Sequence, residues 1–131
     1  MSQPHKALQI TGFVLHFLIA ALLLMGGFFK IAGLMPAEAV AEMKKSGIGD
    51  HLLLIGWGET IAAILMLIPR TSPLGTLLVS GFWGGVICTH LIQRESFVVY
   101  SVFLAVTWIA AEMRGCIKLF LPTPVDTKSD P

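Results

Sequence analysis

Long apolar runs separated by short polar clusters make up most of the chain. A helix needs about 20 mostly apolar residues to cross a hydrocarbon core of roughly 30 Å. Four segments are of this kind, at about residues 8–34, 52–68, 73–92 and 97–113. The pattern predicts an all-α integral membrane protein, folded as a four-helix up-down-up-down bundle, with residues 1–131 forming a single membrane domain.

The polar connections set the order of these helices. Pro69 and Pro73 flank Arg70-Thr71-Ser72, and they end the second helix and begin the third, because proline lacks the donor needed inside a helix but fits the first turn. Only Gln93-Arg94-Glu95-Ser96 separates the third and fourth helices. A connection this short predicts antiparallel neighbours.

The link between the first two spans, residues 36–49, is longer and has a helical pattern of its own. Pro36 is placed to begin a short helix, Val40 and Met43 share a face, and Gly47 is placed to end it. We expect an interfacial helix here, and the pattern leaves open whether it is a lid on the bundle or an ordinary connector. Residues 122–131 are predicted to form a flexible tail.

Composition agrees with a membrane protein and excludes one class of partner. Of the 131 residues, 55% are hydrophobic and 13% are charged, whereas soluble domains are about one-quarter charged. The net charge is +1 and no long basic run is present, which argues against nucleic acid binding. The apolar run from Leu8 to Phe29 is too long for a signal-peptide core and lacks a small-x-small cleavage site, so we interpret it as a retained span.

Four spans place both chain ends on one side of the membrane, and the basic residues favour the cytoplasmic side for them. That side has five cations and the opposite side has four. The five are Lys6, Arg70, Arg114, Lys118 and Lys128, and the four are Lys30, Lys44, Lys45 and Arg94. The positive-inside rule then predicts cytoplasmic termini.

Ionisable side chains inside a bilayer are costly and mark sites, so their depth is informative. Depth is counted from the cytoplasmic side of the membrane, at a rise of about 1.5 Å per residue. On this count His16 lies at a depth of ~12 Å, Glu59 at ~14 Å and Thr107 at ~15 Å, near the midplane. A carboxylate at this depth must pair with a cation or stay protonated, which makes Glu59 the candidate catalytic residue. His16 is its expected hydrogen-bond partner, and for a lone histidine on an apolar face a structural role is the alternative.

A second group is predicted closer to the outer surface, beneath the interfacial segment. The same rise places Lys30 at ~33 Å, His90 at ~26 Å and Tyr100 at ~25 Å. Lys30 is also near enough to the interface to extend its ammonium into water. The helical spacing of these residues gives each predicted helix one polar stripe. Together the stripes indicate a polar seam facing the inside of the bundle.

Several of these residues lie in short motifs with a family resemblance. The motifs are Gly26 to Lys30, Ile55 to Glu59, Leu65 to Pro69, and Thr89-His90. In order and spacing, over about residues 8–113, they resemble the DoxX-like family of small bacterial membrane proteins. The resemblance implies a four-helix protein of the bacterial cytoplasmic (inner) membrane, with Lys30, Glu59 and His90 as site residues.

For some members the resemblance also implies an association with quinone-linked or thiol-linked oxidation, such as thiosulfate oxidation. The two cysteines, Cys88 and Cys116, form no CxxC pair and no metal-ligand spacing, so direct thiol–disulfide chemistry and a metal site are not expected.

Our first hypothesis is a redox-associated membrane subunit that binds a lipoquinone or another amphiphile in the polar seam. Lys30, His90 and Tyr100 would meet the polar head, with His16 and Thr107 as further ligand-binding residues and Glu59 holding or relaying a proton. No covalently bound cofactor is expected. An accessory subunit working with a membrane or peripheral oxidoreductase partner is favoured over a stand-alone enzyme.

Two hypotheses from other classes stay open. One is a small proton-coupled carrier that works as a dimer, using the buried carboxylate for exchange. The other is a non-enzymatic scaffold or accessory subunit whose polar seam only sets the helix register. Membrane lipid is a partner in all three, and the sequence leaves a homo-oligomer open.

Overall fold

The structure is a computed structural model that describes residues 3–118, and these form α-helices joined by turns, with no strand among them. The five α-helices are α1 (Gln3–Ile31), α2 (Ala37–Lys45), α3 (Leu52–Leu67), α4 (Ser72–Ile92) and α5 (Val98–Met113). A short 3-10 turn, Gly49–His51, precedes α3. The predicted tail, residues 122–131, lies outside the described residues.

The ends of α1 differ from those predicted from the apolar run, about residues 8–34. α1 begins at Gln3 rather than Leu8, because helical hydrogen bonding continues through the polar residues before the run. It ends at Ile31 rather than Leu34, because Gly33 takes a left-handed conformation with φ 68°. The Leu34 N–H then donates to the Phe29 carbonyl, which satisfies a carbonyl at the helix end.

Three helical segments are long and apolar enough to cross a membrane, namely His5–Ile31, Gly49–Leu67 and Ser72–Ile92. The helix α5 is equally apolar in character but shorter, at 16 residues. Large apolar side chains cover the outside of these helices, among them Phe17, Leu54, Leu77 and Ile109. Such a continuous apolar surface is unfavourable in water and suits lipid, so this is a membrane protein.

The four long helices contact one another in a ring. The helix α1 packs against α3 and α5, and α4 packs against the same two helices, while α2 contacts the turn Gly49–His51. The main core cluster consists of Ile19, Ala20, Leu23, Ala62, Ala63, Met66, Val79 and Trp83. It therefore joins α1, α3 and α4, with side chains of α5 packed against it.

A close backbone approach joins α1 to α3. A Cβ atom added at Gly27 would collide with the Thr60 hydroxyl and would lie 2.9 Å from the Gly56 carbonyl oxygen. Small residues allow helix backbones to come this near in lipid. Because Gly26 lies beside Glu59 and Lys30 lies beside Gly56, residue numbers rise along α1 as they fall along α3, so the two helices are antiparallel.

The segment predicted over residues 36–49 contains a helix, α2, which follows Pro36. It stops before Gly47, which has φ 75° and donates its N–H to the Lys44 carbonyl. Ala39, Glu42 and Met43 of α2 line a cavity against the long helices. The helix α2 therefore lies over this cavity.

Candidate functional site

A buried ion pair joins α1 to α3. The Lys30 ammonium donates a hydrogen bond of 2.6 Å to Oε2 of Glu59, and the two side chains are only 12% and 4% exposed. Lys30 lies in the last turn of α1, and Glu59 lies in the middle of α3. A carboxylate this buried requires a cation, and Lys30 is that cation.

The prediction that Lys30 and Glu59 occupy separate layers was wrong. Gly12, not Leu8, lies level with the end of α5, so α1 is shifted by about four residues, or ~6 Å, from the position used for the depth count. Side chains on a helix also lean toward its N-terminus. On antiparallel helices two facing side chains therefore lean toward each other, and Lys30 and Glu59 meet.

Gly26 makes room for this pair. A Cβ atom at Gly26 would lie 2.8 Å from Oε1 of Glu59 and 3.5 Å from the Lys30 ammonium nitrogen. Gly26 and Lys30 are four residues apart and share a face of α1. The spacing in the Gly26 to Lys30 motif thus has a physical reason, since the glycine accommodates the carboxylate that the lysine binds.

Beside the ion pair lies a cavity of about 520 Å³ beneath α2. Its wall includes Lys30, His90 and Tyr100, the three residues predicted from the sequence to meet a polar head. The other polar residues of the wall are Glu42, Thr89, Gln93 and Glu95, and the apolar ones include Leu52, Ile55, Phe82 and Val86. One end of the cavity is therefore polar and aromatic, while the wall between α3 and α4 is apolar.

Aromatic rings stack along the α4–α5 side of this cavity. The rings of His90 and Tyr100 are stacked with centroids 4.4 Å apart, and Tyr100 stacks in turn on Trp83 at 6.3 Å. Nδ1 of His90 lies 2.9 Å from Oε2 of Glu95, within ion-pair distance but without hydrogen-bond geometry. The Lys30 ammonium lies 5.9 Å from the ring centroid of Phe82. Tyr100 therefore lies between His90 and Trp83, and these aromatic side chains form the α4–α5 side of the site.

His16 and Thr107 belong to a different cluster, at the other end of the long helices. Nε2 of the fully buried His16 lies 2.9 Å from the Thr107 carbonyl oxygen, and Nδ1 lies 2.8 Å from Nη1 of Arg114. Because a guanidinium can only donate, Nδ1 is the acceptor and Nε2 carries the proton that it donates to Thr107. The expected hydrogen bond between His16 and Glu59 is not formed, since both ring nitrogens have these other partners.

Arg114, just after α5, holds this second cluster together. Nη1 donates to the Met66 carbonyl at 2.8 Å and to the Ser72 hydroxyl at 3.2 Å, and Nη2 donates to the Leu67 carbonyl at 3.2 Å. A cation suits the carboxyl end of a helix, where carbonyl groups lack partners. Arg114 thus connects α5 to the end of α3, the start of α4 and, through His16, the middle of α1.

Sequence reasoning missed this role, because it used Arg114 only as a positive charge in the topology count. A signal was available: the predicted second helix ends before Pro69, and an up-down order brings that end to the side where the fourth helix ends. An arginine following the fourth helix is therefore within reach of unpaired carbonyls.

Within residues 3–118 no group of three or more His, Cys, Asp or Glu side chains is arranged to hold a metal ion. Cys88 and Cys116 are both free thiols, the first exposed and the second half-buried. Glu59 itself is not part of the cavity wall and reaches the cavity only through Lys30. The structure thus brings together Lys30, Glu59, His90 and Tyr100, and it separates them from His16 and Thr107.

Comparisons with known proteins identify a family for this chain. The model of the DoxX-like family matches residues 14–111. The chain is also similar to the uncharacterized protein YwoB of Bacillus subtilis (strain 168), with 28% identity over 81 residues that cover 58% of this chain and 51% of that protein. The chain thus spans about half the length of this curated relative. No solved structure matches the chain.

Proposed function

Because the chain belongs to the DoxX-like family, as the motifs indicated, we propose that it is a membrane subunit that binds the head group of an amphiphile, foremost a lipoquinone, in the cavity beneath α2. The observation that carries this proposal is that Lys30, His90 and Tyr100 line one cavity although they come from three different helices. Its volume of about 520 Å³ falls within the range of roughly 300–1,000 Å³ of small-molecule sites.

The proposal includes a four-span topology. In it α1, α3, α4 and α5 cross the bacterial inner membrane as an up-down-up-down bundle, with both chain ends in the cytoplasm. Support comes from the ring of helix contacts and from exposed apolar residues of α5 such as Val102 and Ile109, although α5 is shorter than the other three.

Lys30 supplies the directional contact in this proposal. An ammonium has three N–H donors, and Glu59 accepts one of them. The others are free to donate to an acceptor oxygen in the cavity, such as a quinone carbonyl. Glu59 then serves as a positioning residue, because it fixes the ammonium at the cavity wall.

His90 and Tyr100 complete the head-group site. Both residues line the cavity on the side of α4 and α5, where their rings are stacked on each other. In this proposal the Tyr100 hydroxyl adds a donor for the head group. In this proposal electrons reach or leave the bound quinone through an oxidoreductase partner, and the chain acts as an accessory subunit rather than a stand-alone enzyme.

The test measures which amphiphiles the protein retains. Wild-type protein, the double variant Lys30→Met/Glu59→Gln and the control Lys6→Met are purified in lipid nanodiscs, and bound molecules are identified by native mass spectrometry. The double variant removes both charges and so leaves no unpaired buried ion, while Lys6 is an exposed lysine near the start of the same helix.

We expect wild-type protein and Lys6→Met to retain a quinone, and the double variant to lose it while staying folded. Retention of the same quinone by all three would contradict the role of Lys30. A wild-type protein that retains no quinone or other amphiphile would contradict the proposed function and favour the scaffold hypothesis. Substrate-dependent proton release would instead favour the proton-coupled carrier.

A further inference from the structure

The cavity wall on α4 contains two exposed glycines, Gly81 and Gly85. A Cβ atom added at either position would meet no atom within 4 Å. The same cavity is lined by Lys30, whose side chain is only 12% exposed. The cavity therefore runs from a buried ammonium to the outer surface of α4.

The facing wall belongs to α3, which contributes Leu52 and Ile55. Near their connecting turn, α3 and α4 are in close contact, since a Cβ atom at Gly75 would overlap the backbone of Met66. Beside the cavity the α4 glycines have open space instead. The two helices thus touch at one end and leave a cleft between them at the level of Gly81 and Gly85.

An apolar surface continues from this cleft along α4. Leu74 and Leu78 lie on the same helical face as Gly81 and Gly85, at intervals of four, three and four residues. They are 52% and 43% exposed. In a membrane this stripe faces hydrocarbon, so a chain of methylene groups that left the cavity through the cleft would meet apolar side chains and lipid.

We propose that Gly81 and Gly85 form a lateral opening between α3 and α4, through which the hydrocarbon chain of a bound single-chain amphiphile leaves the cavity. The head group stays at Lys30, and the chain lies along Leu78 and Leu74. This inference rests on the proposed function and adds the class of ligand, which is a head group bearing one long apolar chain. Glycine at both positions is what keeps the opening clear.

The test compares two probes and two matched variants. The probes are a benzoquinone with a decyl chain and the same benzoquinone without the chain. The variants are Gly81→Leu, which places a side chain in the cleft, and Gly84→Leu, which adds the same side chain to α4 at a position that also has open space but does not line the cavity. Binding in nanodiscs is measured by quenching of tryptophan fluorescence.

We expect wild-type protein and Gly84→Leu to bind the decyl probe more tightly than the probe without a chain. In Gly81→Leu we expect affinity for the decyl probe to fall about tenfold or more, with affinity for the other probe unchanged. Equal loss of both probes in Gly81→Leu, or no loss of either, would overturn the lateral opening and leave the head-group site standing. If wild-type protein binds neither probe, the proposed function fails as well.

Discussion

Lys30 and Glu59 form a charge pair that is almost fully withdrawn from the surface, so the stability of the protein depends on both members being present. A buried ion that loses its partner keeps its full desolvation cost, while removal of both charges leaves only a loss of packing. Single and double substitutions at these two positions therefore have different expected effects.

Lys30→Met is expected to lower the free energy of unfolding by about 3–5 kcal/mol, because it leaves the Glu59 carboxylate without a cation. Lys30→Met/Glu59→Gln should recover most of that loss, since no charge then remains unpaired. Thermal unfolding of both variants in detergent measures the difference. If the double variant is as unstable as the single one, pairing with Lys30 is not what makes Glu59 tolerable in the membrane.

At Arg114 the geometry of the side chain matters as well as its charge. Arg114→Lys keeps the charge but replaces a planar fork by an ammonium with one nitrogen. One nitrogen cannot occupy the positions of both Nη1, which donates to His16 and Met66, and Nη2, which donates to Leu67. We expect a loss of stability on the order of 2–4 kcal/mol. The control is Arg70→Lys, at an exposed position in the α3–α4 turn, which should leave the unfolding temperature unchanged. A similar unfolding temperature for both variants would show that the fork geometry of Arg114 contributes nothing to stability.

At the scale of the helices, the close contact of α1 with α3 depends on glycine. Gly27→Ala adds a methyl group that collides with Thr60 and Gly56, so it should push the two helices apart and lower the unfolding temperature. Gly58→Ala adds the same group to α3 where nothing lies within 4 Å. It should stabilise the helix by up to about 1 kcal/mol. Effects of the same sign in both variants would refute the close approach.

The helix α2 is held less firmly than the long helices. Of the other elements described, it contacts the turn Gly49–His51, while Ala39, Glu42 and Met43 line the cavity on the side facing the long helices. We expect its amides to exchange hydrogen faster than those of α3 in nanodiscs, and adding the decyl benzoquinone should slow them. If the amides of α2 exchange as slowly as those of α3, or if the added quinone does not change their exchange rate, then α2 does not cover the ligand site.

The distribution of cations bears on the orientation of the whole molecule in the membrane. Lys30 and Arg114 are both bound inside the protein, so each side of the membrane loses one cation from the count. The remaining numbers are four and three, and the positive-inside rule still predicts cytoplasmic chain ends.

In a Cys88→Ser/Cys116→Ser background, Arg70→Cys should react with a membrane-impermeant maleimide only from the cytoplasm. Lys45→Cys should react only from the opposite side. Labelling of both positions from the same side would refute the four-span topology. If Arg70→Cys reacted only from outside and Lys45→Cys only from the cytoplasm, the topology would stand and the orientation would be refuted.

The sequence predicted the local elements well because their causes are local. Pro69 and Pro73 separate α3 from α4 by removing backbone donors, and Pro36 and Gly47 flank α2 for reasons confined to their own residues. Three residues of the candidate site, Lys30, His90 and Tyr100, were also identified from the sequence, since charged and polar side chains stand out in apolar helices.

The membrane character, the succession of helices along the chain and the family membership were thus determined by the sequence by itself, because apolar runs, helix breakers and short motifs are properties of the chain alone. Only the tertiary structure decided that Glu59 pairs with Lys30 rather than with His16, and that Arg114 joins three other helices. Those contacts depend on how far each helix is shifted along its neighbours and on which way side chains lean across the gap. Packing sets both, and the periodicity of a single helix contains neither.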